Sequence, residues 1–177
     1  MKIIDLSLPL YTGMPVYPGD PEVSITLVHT IERNGWDLRR LEINSHDGTH
    51  VNVPSHMIAS GRTLDDYALA DFCGPARLYK PDMPISSADG ILFADCDIDE
   101  GVAAKIKEAR PRFIGLSCRF DLDLAIEKEL LAAGLICFER LANLEQLPGN
   151  FEFFGVPLKI RGGEASPVRA YALIENM

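Results

Sequence analysis

Short β-rich runs alternate with a few helical stretches along this chain. Residues 22–31 and 38–45 alternate as half-buried strands do, and Asn34-Gly35 between them is a turn signal. Residues 74–79 and 90–93 predict two more short strands. Thr63 predicts the start of a short helix, with Asp66 three residues on as in a capping box. A longer helix starts at Asp97 or Asp99 and has to end before Pro111; another starts at Asp121 or Asp123 and stops at Gly134. Residues 112–116 and 135–138 predict strands on either side of that second helix, a strand–helix–strand unit. Glu139 falls just past the last of these strands. That is a common place for a catalytic group in an α/β fold and equally for a plain surface carboxylate. Residues 151–160 and 168–174 predict two late strands with a Gly-rich turn between. The pattern is that of a mixed α/β protein without repeats or linkers.

Length and composition narrow the class. The 177 residues suit one domain spanning 1–177, and 47% hydrophobic with 24% charged residues is ordinary for a globular fold. The net charge of −9 and the scattered Lys and Arg argue against nucleic acid or an anionic membrane as partner. No apolar run reaches membrane-spanning length, and no secretory leader pattern is visible at the start. Cys73, Cys96, Cys118 and Cys137 are far apart, so no Cys-x-x-Cys pattern exists. The expectation is a reduced, cytoplasmic protein whose cysteines serve as small core residues.

The candidate chemistry is concentrated in one place. Three of the four histidines lie in the run His46-Asp47-Gly48-Thr49-His50-Val51-Asn52-Val53-Pro54-Ser55-His56. Imidazole is the commonest metal ligand and titrates nearest neutrality, so the run reads as a metal or acid–base site. Gly48, Pro54 and the β-branched residues argue against a helix. In an extended segment His50 and Asn52 share a side, roughly 6.6 Å apart at the backbone, whereas His46 and His56 would be roughly 33 Å apart. A shared site therefore requires a bend, and Gly48 and Pro54 are the places for it. The isolated His29 carries no such signal.

The run resembles the His-x-Gly-Thr-His-x-Asp-x-Pro-x-His signature of the cyclase family of metal-dependent hydrolases, which includes kynurenine formamidase and isatin hydrolase. The resemblance extends over most of the chain: the opening Ile4-Asp5-Leu6-Ser7-Leu8-Pro9-Leu10 and Gly13-Met14-Pro15, then Gly61-Arg62-Thr63-Leu64-Asp65, Phe138-Glu139-Arg140-Leu141-Ala142-Asn143-Leu144 and Gly163-Glu164-Ala165-Ser166-Pro167. It implies a swivelling β/β/α fold, a homo-oligomer (dimer or tetramer) and a small-molecule substrate. By position it implies His46, His50, Asn52 and Glu139 on the metal side, and His56 with Glu139 as the catalytic groups.

Two positions depart from the family pattern. Asn52 stands where the family has Asp, and Glu127 stands where two-zinc members have His, either as an oxygen ligand or as a solvated helix residue. A neutral amide oxygen cancels no metal charge, so the implied cofactor is one divalent ion, zinc or manganese, and an empty site stays open. The implied reaction is hydrolysis of a small amide, formamide or lactone, with His56 as acid and base. The alternative is a member without metal hydrolysis, either a small-ligand-binding protein or a metal-free dehydratase or isomerase. Tyr11, Tyr17 and Trp36 are candidates for a subunit interface, a substrate pocket or the core.

Overall fold

A computed structural model describes residues 1–174. In chain order its elements are β1 (Lys2–Asp5), β2 (Ser24–His29), the helical turn α1 (Ile31–Asn34), β3 (Leu38–Glu42), β4 (His50–Asn52), β5 (Cys73–Leu78), β6 (Gly90–Phe93), α2 (Glu100–Ala109), β7 (Ile114–Ser117), α3 (Leu124–Ala132), β8 (Cys137–Leu141), β9 (Asn150–Phe154), β10 (Ala165–Pro167) and β11 (Tyr171–Ile174). Nine strands form one mixed sheet in the order β1-β11-β9-β5-β6-β7-β8-β4-β10. Its centre, β5-β6-β7-β8, is parallel, and the outer pairings are antiparallel.

The period of two along the central strands divides the core. Ile91, Phe93, Ile114, Leu116 and Cys137 face the helices, where they meet Ala103 and Ile106 of α2 and Leu130 and Leu131 of α3. The alternate residues Leu92 and Phe138 face the other way. There they join Ile4, Val51, Phe153 and Ala172, drawn from distant strands of the same sheet, so the sheet curls around this second core. The helices begin where an aspartate can cap them. The Asp99 carboxylate accepts from Val102 N–H, and that of Asp123 from Ala125 and Ile126 N–H.

Several elements differ from the sequence pattern. Residues 22–31 and 38–45 do form a hairpin, but the link is the helical turn α1, closed by Gly35 at φ 83°, and the pair stands apart from the main sheet. The strand after α3 runs from Cys137 to Leu141, so Glu139 lies inside it and not past its end. Pairing with β4 at Glu139 and with β7 at Leu141 carries β8 three residues further than the apolar run suggested. The predicted strand 151–160 stops at Phe154, since Gly155 passes edge-on to Phe138 and Phe153 and Pro157 has no N–H to donate. Strands β1 and β10 gave no recognisable run of their own. Of the cysteines only Cys137 is fully buried. Tyr11, Tyr17 and Trp36 are exposed, which removes the core reading for them.

The bend after the His-rich run is buttressed by Gly61. A Cβ there would lie 2.5 Å from the Pro54 carbonyl carbon and 2.6 Å from the Ser55 nitrogen, at the base of the 3-10 turn Pro54–His56. Gly61→Ala is therefore expected to cost about 1–3 kcal/mol through displaced backbone. Urea unfolding measures it, and an unchanged midpoint would show that the turn can move freely.

Candidate active site

The His-rich run bends at both expected places. Gly48 adopts φ 64°, and an added Cβ would come within 2.8 Å of Leu10 Cδ2. Pro54 opens the 3-10 turn that carries His56. Between the bends, β4 is an edge-on-core strand with Val51 in the apolar core and His50 and Asn52 on the opposite, helix-facing side. Thr49 pins the segment: its hydroxyl accepts from Leu8 N–H at 2.9 Å and donates to the Arg140 carbonyl at 2.7 Å.

Antiparallel pairing of β4 with β8 sets His50 opposite Glu139 and Asn52 opposite Cys137. The inward stripe of α3, Glu127, Leu130 and Leu131, covers this side and adds the second carboxylate. The six polar side chains close into a ring. Asn52 Nδ2 donates to Glu139 Oε1 at 2.6 Å and to Glu127 Oε1 at 2.8 Å. Glu127 Oε1 is 3.8 Å from His56 Nε2, and Glu139 Oε1 is 4.0 Å from His50 Nε2. The His46 ring completes the circuit, its centroid 5.1 Å from that of His50 and 4.2 Å from that of His56. All five residues singled out from the sequence (His46, His50, Asn52, His56, Glu139) are thus brought together. His29 lies apart, edge-on to Trp36.

Glu127 is the larger surprise. At 4% exposure it is a buried carboxylate and not a solvated helix residue. Its spacing from Leu130 and Leu131 was a legible sign, because it sits at i, i+3, i+4 with the apolar stripe. Glu164 was not identified from sequence as a site residue. It accepts from Ser45 Oγ at 2.5 Å and lies 3.6 Å from His46 Nε2.

Burial dominates the electrostatics, and the charge of the neighbouring Arg140 does not outweigh it at Glu139. Burial pushes His50 down from 6.5 to about 3. His46 is also lowered by burial, and His56 by burial and then by the neighbouring His46. In all three rings burial favours the uncharged form. Burial, then the charge of Glu127, raises Glu139 from 4.5 to about 8. The Cys137 thiol is pushed well up by burial, then by Glu127 and Glu139, so it is no nucleophile.

Among the described residues no three His, Cys, Asp or Glu side chains are gathered as a ready cation site. A mixed donor set nevertheless faces the imidazole side. His50 Nδ1 lies 2.9 Å from the Gly48 carbonyl, which can only accept, so Nδ1 carries the hydrogen and Nε2 keeps its lone pair for the site. Asn52 Oδ1 is buried and, among the described residues, has no hydrogen-bond partner. The amide lies beside the His46 ring and favours its charged form, without an alignment that satisfies that oxygen. Two imidazoles and an orphaned carbonyl oxygen fit one divalent ion. A second ion between the carboxylates does not fit, because Asn52 Nδ2 holds that place.

Residues 4–114 match the model of the family described as putative cyclase. A kynurenine formamidase of Salinibacter ruber is 30% identical, over 96% of each chain. A solved structure of a potential metal-dependent hydrolase with cyclase activity superposes with a TM-score of 0.80 at 25% identity, over 97% of this chain and 96% of that one. An isatin hydrolase bound to the product analogue thioisatinate shares the fold, with a TM-score of 0.82 at 18% identity over 99% and 93% of the two chains.

The raised Glu139 has a measurable consequence. Between pH 4.5 and about 8 the folded protein holds a proton that the unfolded chain has released, so this residue makes stability fall as pH rises through that window. His50 acts in the opposite sense below pH 6.5, where the unfolded chain binds the proton and the folded one does not. Urea unfolding in chelator should find Glu139→Gln more favourable relative to wild type at pH 8 than at pH 5. An equal difference at both would mean that Glu139 is already ionised in the folded protein.

Proposed function

The chain belongs to the cyclase family, and on that premise we propose that it is a hydrolase of the C–N bond in a small amide or formamide, with a lactone as the related ester substrate. The observation that carries this reading is the clustering of three imidazoles, with a buried amide oxygen beside His46 that has no hydrogen-bond partner among the described residues. The kynurenine formamidase relatives support the bond type, and the solved relatives named as metal-dependent hydrolases support an ion.

One divalent ion, zinc or manganese, is part of the proposal. His46, His50 and Asn52 Oδ1 would hold it, with Glu139 the adjacent carboxylate. When bound, such an ion acidifies water and polarises a carbonyl. The chain's own groups do the rest. His56 is neutral and partly open to solvent, so it can take a proton from the attacking water and return it to the leaving amine. Glu127, 3.8 Å from His56 Nε2, steadies the imidazolium between the two transfers. Glu139 orients the water or the ion from the opposite side of the ring of side chains.

The reading extends to assembly and location. The β2–β3 hairpin exposes Leu27, Val28, Trp36, Leu38 and Leu41, and an isolated two-stranded sheet is marginal in water. A second copy of this chain is its proposed cover, as a dimer or tetramer. Four unpaired cysteines among the described residues support a reducing, cytoplasmic setting.

A second reading has its own support. With no ready-made cluster of His, Cys, Asp or Glu ligands among the described residues, and with Glu139 raised to about 8, His56 and Glu139 could run a metal-free proton transfer. The two readings separate in one set of assays. Under hydrolysis, chelation abolishes turnover of an arylformamide and ester panel, and His50→Ala removes bound metal. His56→Ala keeps the metal but lowers kcat by about 10²- to 10⁴-fold. Turnover that survives chelation and His50→Ala but not His56→Ala moves the assignment to metal-free proton transfer. Ligand-induced thermal shifts without any turnover would make it a binding protein.

A further inference from the structure

Asn52 is the one uncharged link in the ring of side chains, and its two ends face different chemistry. Both hydrogens of Nδ2 are used, one on Glu127 and one on Glu139, at 2.8 and 2.6 Å. Turning the amide over would set its oxygen against the Glu127 carboxylate and forfeit the charge-assisted hydrogen bond made there. The amide is therefore held in one orientation, with Oδ1 on the imidazole side. Besides Asn52, Glu127 meets the Glu139 carboxyl and, at 3.8 Å, His56 Nε2, and it is only 4% exposed. A carboxylate buried this deeply contributes little to stability by itself, so its presence needs another account.

We propose that Glu127 is a positioning residue: it fixes the Asn52 amide with its oxygen toward His46 and His50, and positions 52 and 127 work as a matched amide–carboxylate pair. This rests on the ion-binding reading of the preceding subsection for what the oxygen is presented to. The pairing itself stands on the contacts alone. Asn at 52 calls for an acceptor at 127. A carboxylate at 52 calls for a donor there, because three carboxylates would otherwise crowd one buried space.

The test uses the full chain stripped of metal, as wild type, Glu127→Gln, Glu127→Leu, Asn52→Asp and the double variant Asn52→Asp/Glu127→Gln, which exchanges amide and carboxylate. Melting in chelator reads the pairing, and calorimetric titration with zinc or manganese alone reads the presentation of the oxygen. Asn52→Asp should lower the Tm, and adding Glu127→Gln should recover most of the loss. Glu127→Leu should weaken ion binding by about 10- to 100-fold, the usual range for a residue that orients a ligand. Glu127→Gln, which still offers Asn52 an acceptor, should rescue it to near wild type. Additive Tm losses, or a Leu variant that binds as wild type does, would overturn the proposal. If wild type binds neither ion while the Tm coupling persists, the pairing is upheld and the ion-binding reading is the part that fails.

Discussion

The register between β4 and β8 governs everything at the site. Because side chains alternate across a sheet, setting Val51 opposite Phe138 puts both in the apolar core and sends His50, Asn52 and Glu139 together to the helix-facing side. A slip of one residue would reverse every one of these placements. β4 has only three residues, too few to hold its register by backbone pairing alone. The register is enforced from outside the strand. The Thr49 hydroxyl bridges Leu8 N–H and the Arg140 carbonyl, and Val53 N–H bonds the Glu164 carbonyl on the other flank. Arg140 itself adopts φ 57°, at the point where the β7–β8 pairing shifts register. That irregularity ends the site-bearing stretch of β8, so that Leu141 returns to the apolar core.

Much of the local structure could be read from single residues. Asp99 and Asp123 cap their helices, Gly48 and Pro54 bend the His-rich run, and His50 and Asn52 share a face, all for reasons contained within a few positions. The pairing of Asn52 with Glu139 spans 87 positions, and the contact of Asn52 with Glu127 spans 75. No short-range pattern encodes these distances. The family likeness pointed to Glu139 and left Glu127 between an oxygen ligand and a solvated helix residue, because its contact with Asn52 is set by the packing of α3 on β4. Strands of three or four residues such as β10 and β1 are too short for a period to be recognised. Glu164 escaped for a similar reason. Its role depends on β10 lying beside β4, which brings it to Ser45 and His46.

The exposed hairpin and the buried polar ring answer opposite constraints. The ring concentrates polar groups where water is scarce, and the buried Asn52 oxygen is left without a hydrogen-bond partner among the described residues. The hairpin places large apolar side chains where water is abundant. Both features are costly for a lone, unliganded chain, the first by desolvation and the second by exposure. The unpaired polar group in the core and the uncovered apolar sheet are the two places where the proposed ion and the proposed second copy would offset these costs.

Charge balance explains why the departures at 52 and 127 occur together. A pattern of Asp at 52 and His at 127 would place one anion on β4 and a neutral ring on α3; this chain places the neutral amide on β4 and the anion on α3. With Glu139 unchanged, the formal charge of the set is the same. The net charge beside the imidazoles is therefore kept while the direction of one hydrogen bond is reversed, from an acceptor at 52 to a donor. In the metal-free state the surplus of negative charge is relieved by the proton that Glu139 retains up to about pH 8. A cation on the imidazole side would relieve it instead and release that proton, so ion binding and ionisation of Glu139 are linked. Moving the carboxylate from 52 to 127 takes it out of the place facing the imidazoles and leaves a neutral oxygen there, a weaker ligand for a doubly charged ion. The arrangement thus favours a single ion held by neutral donors and balanced by carboxylates one contact away.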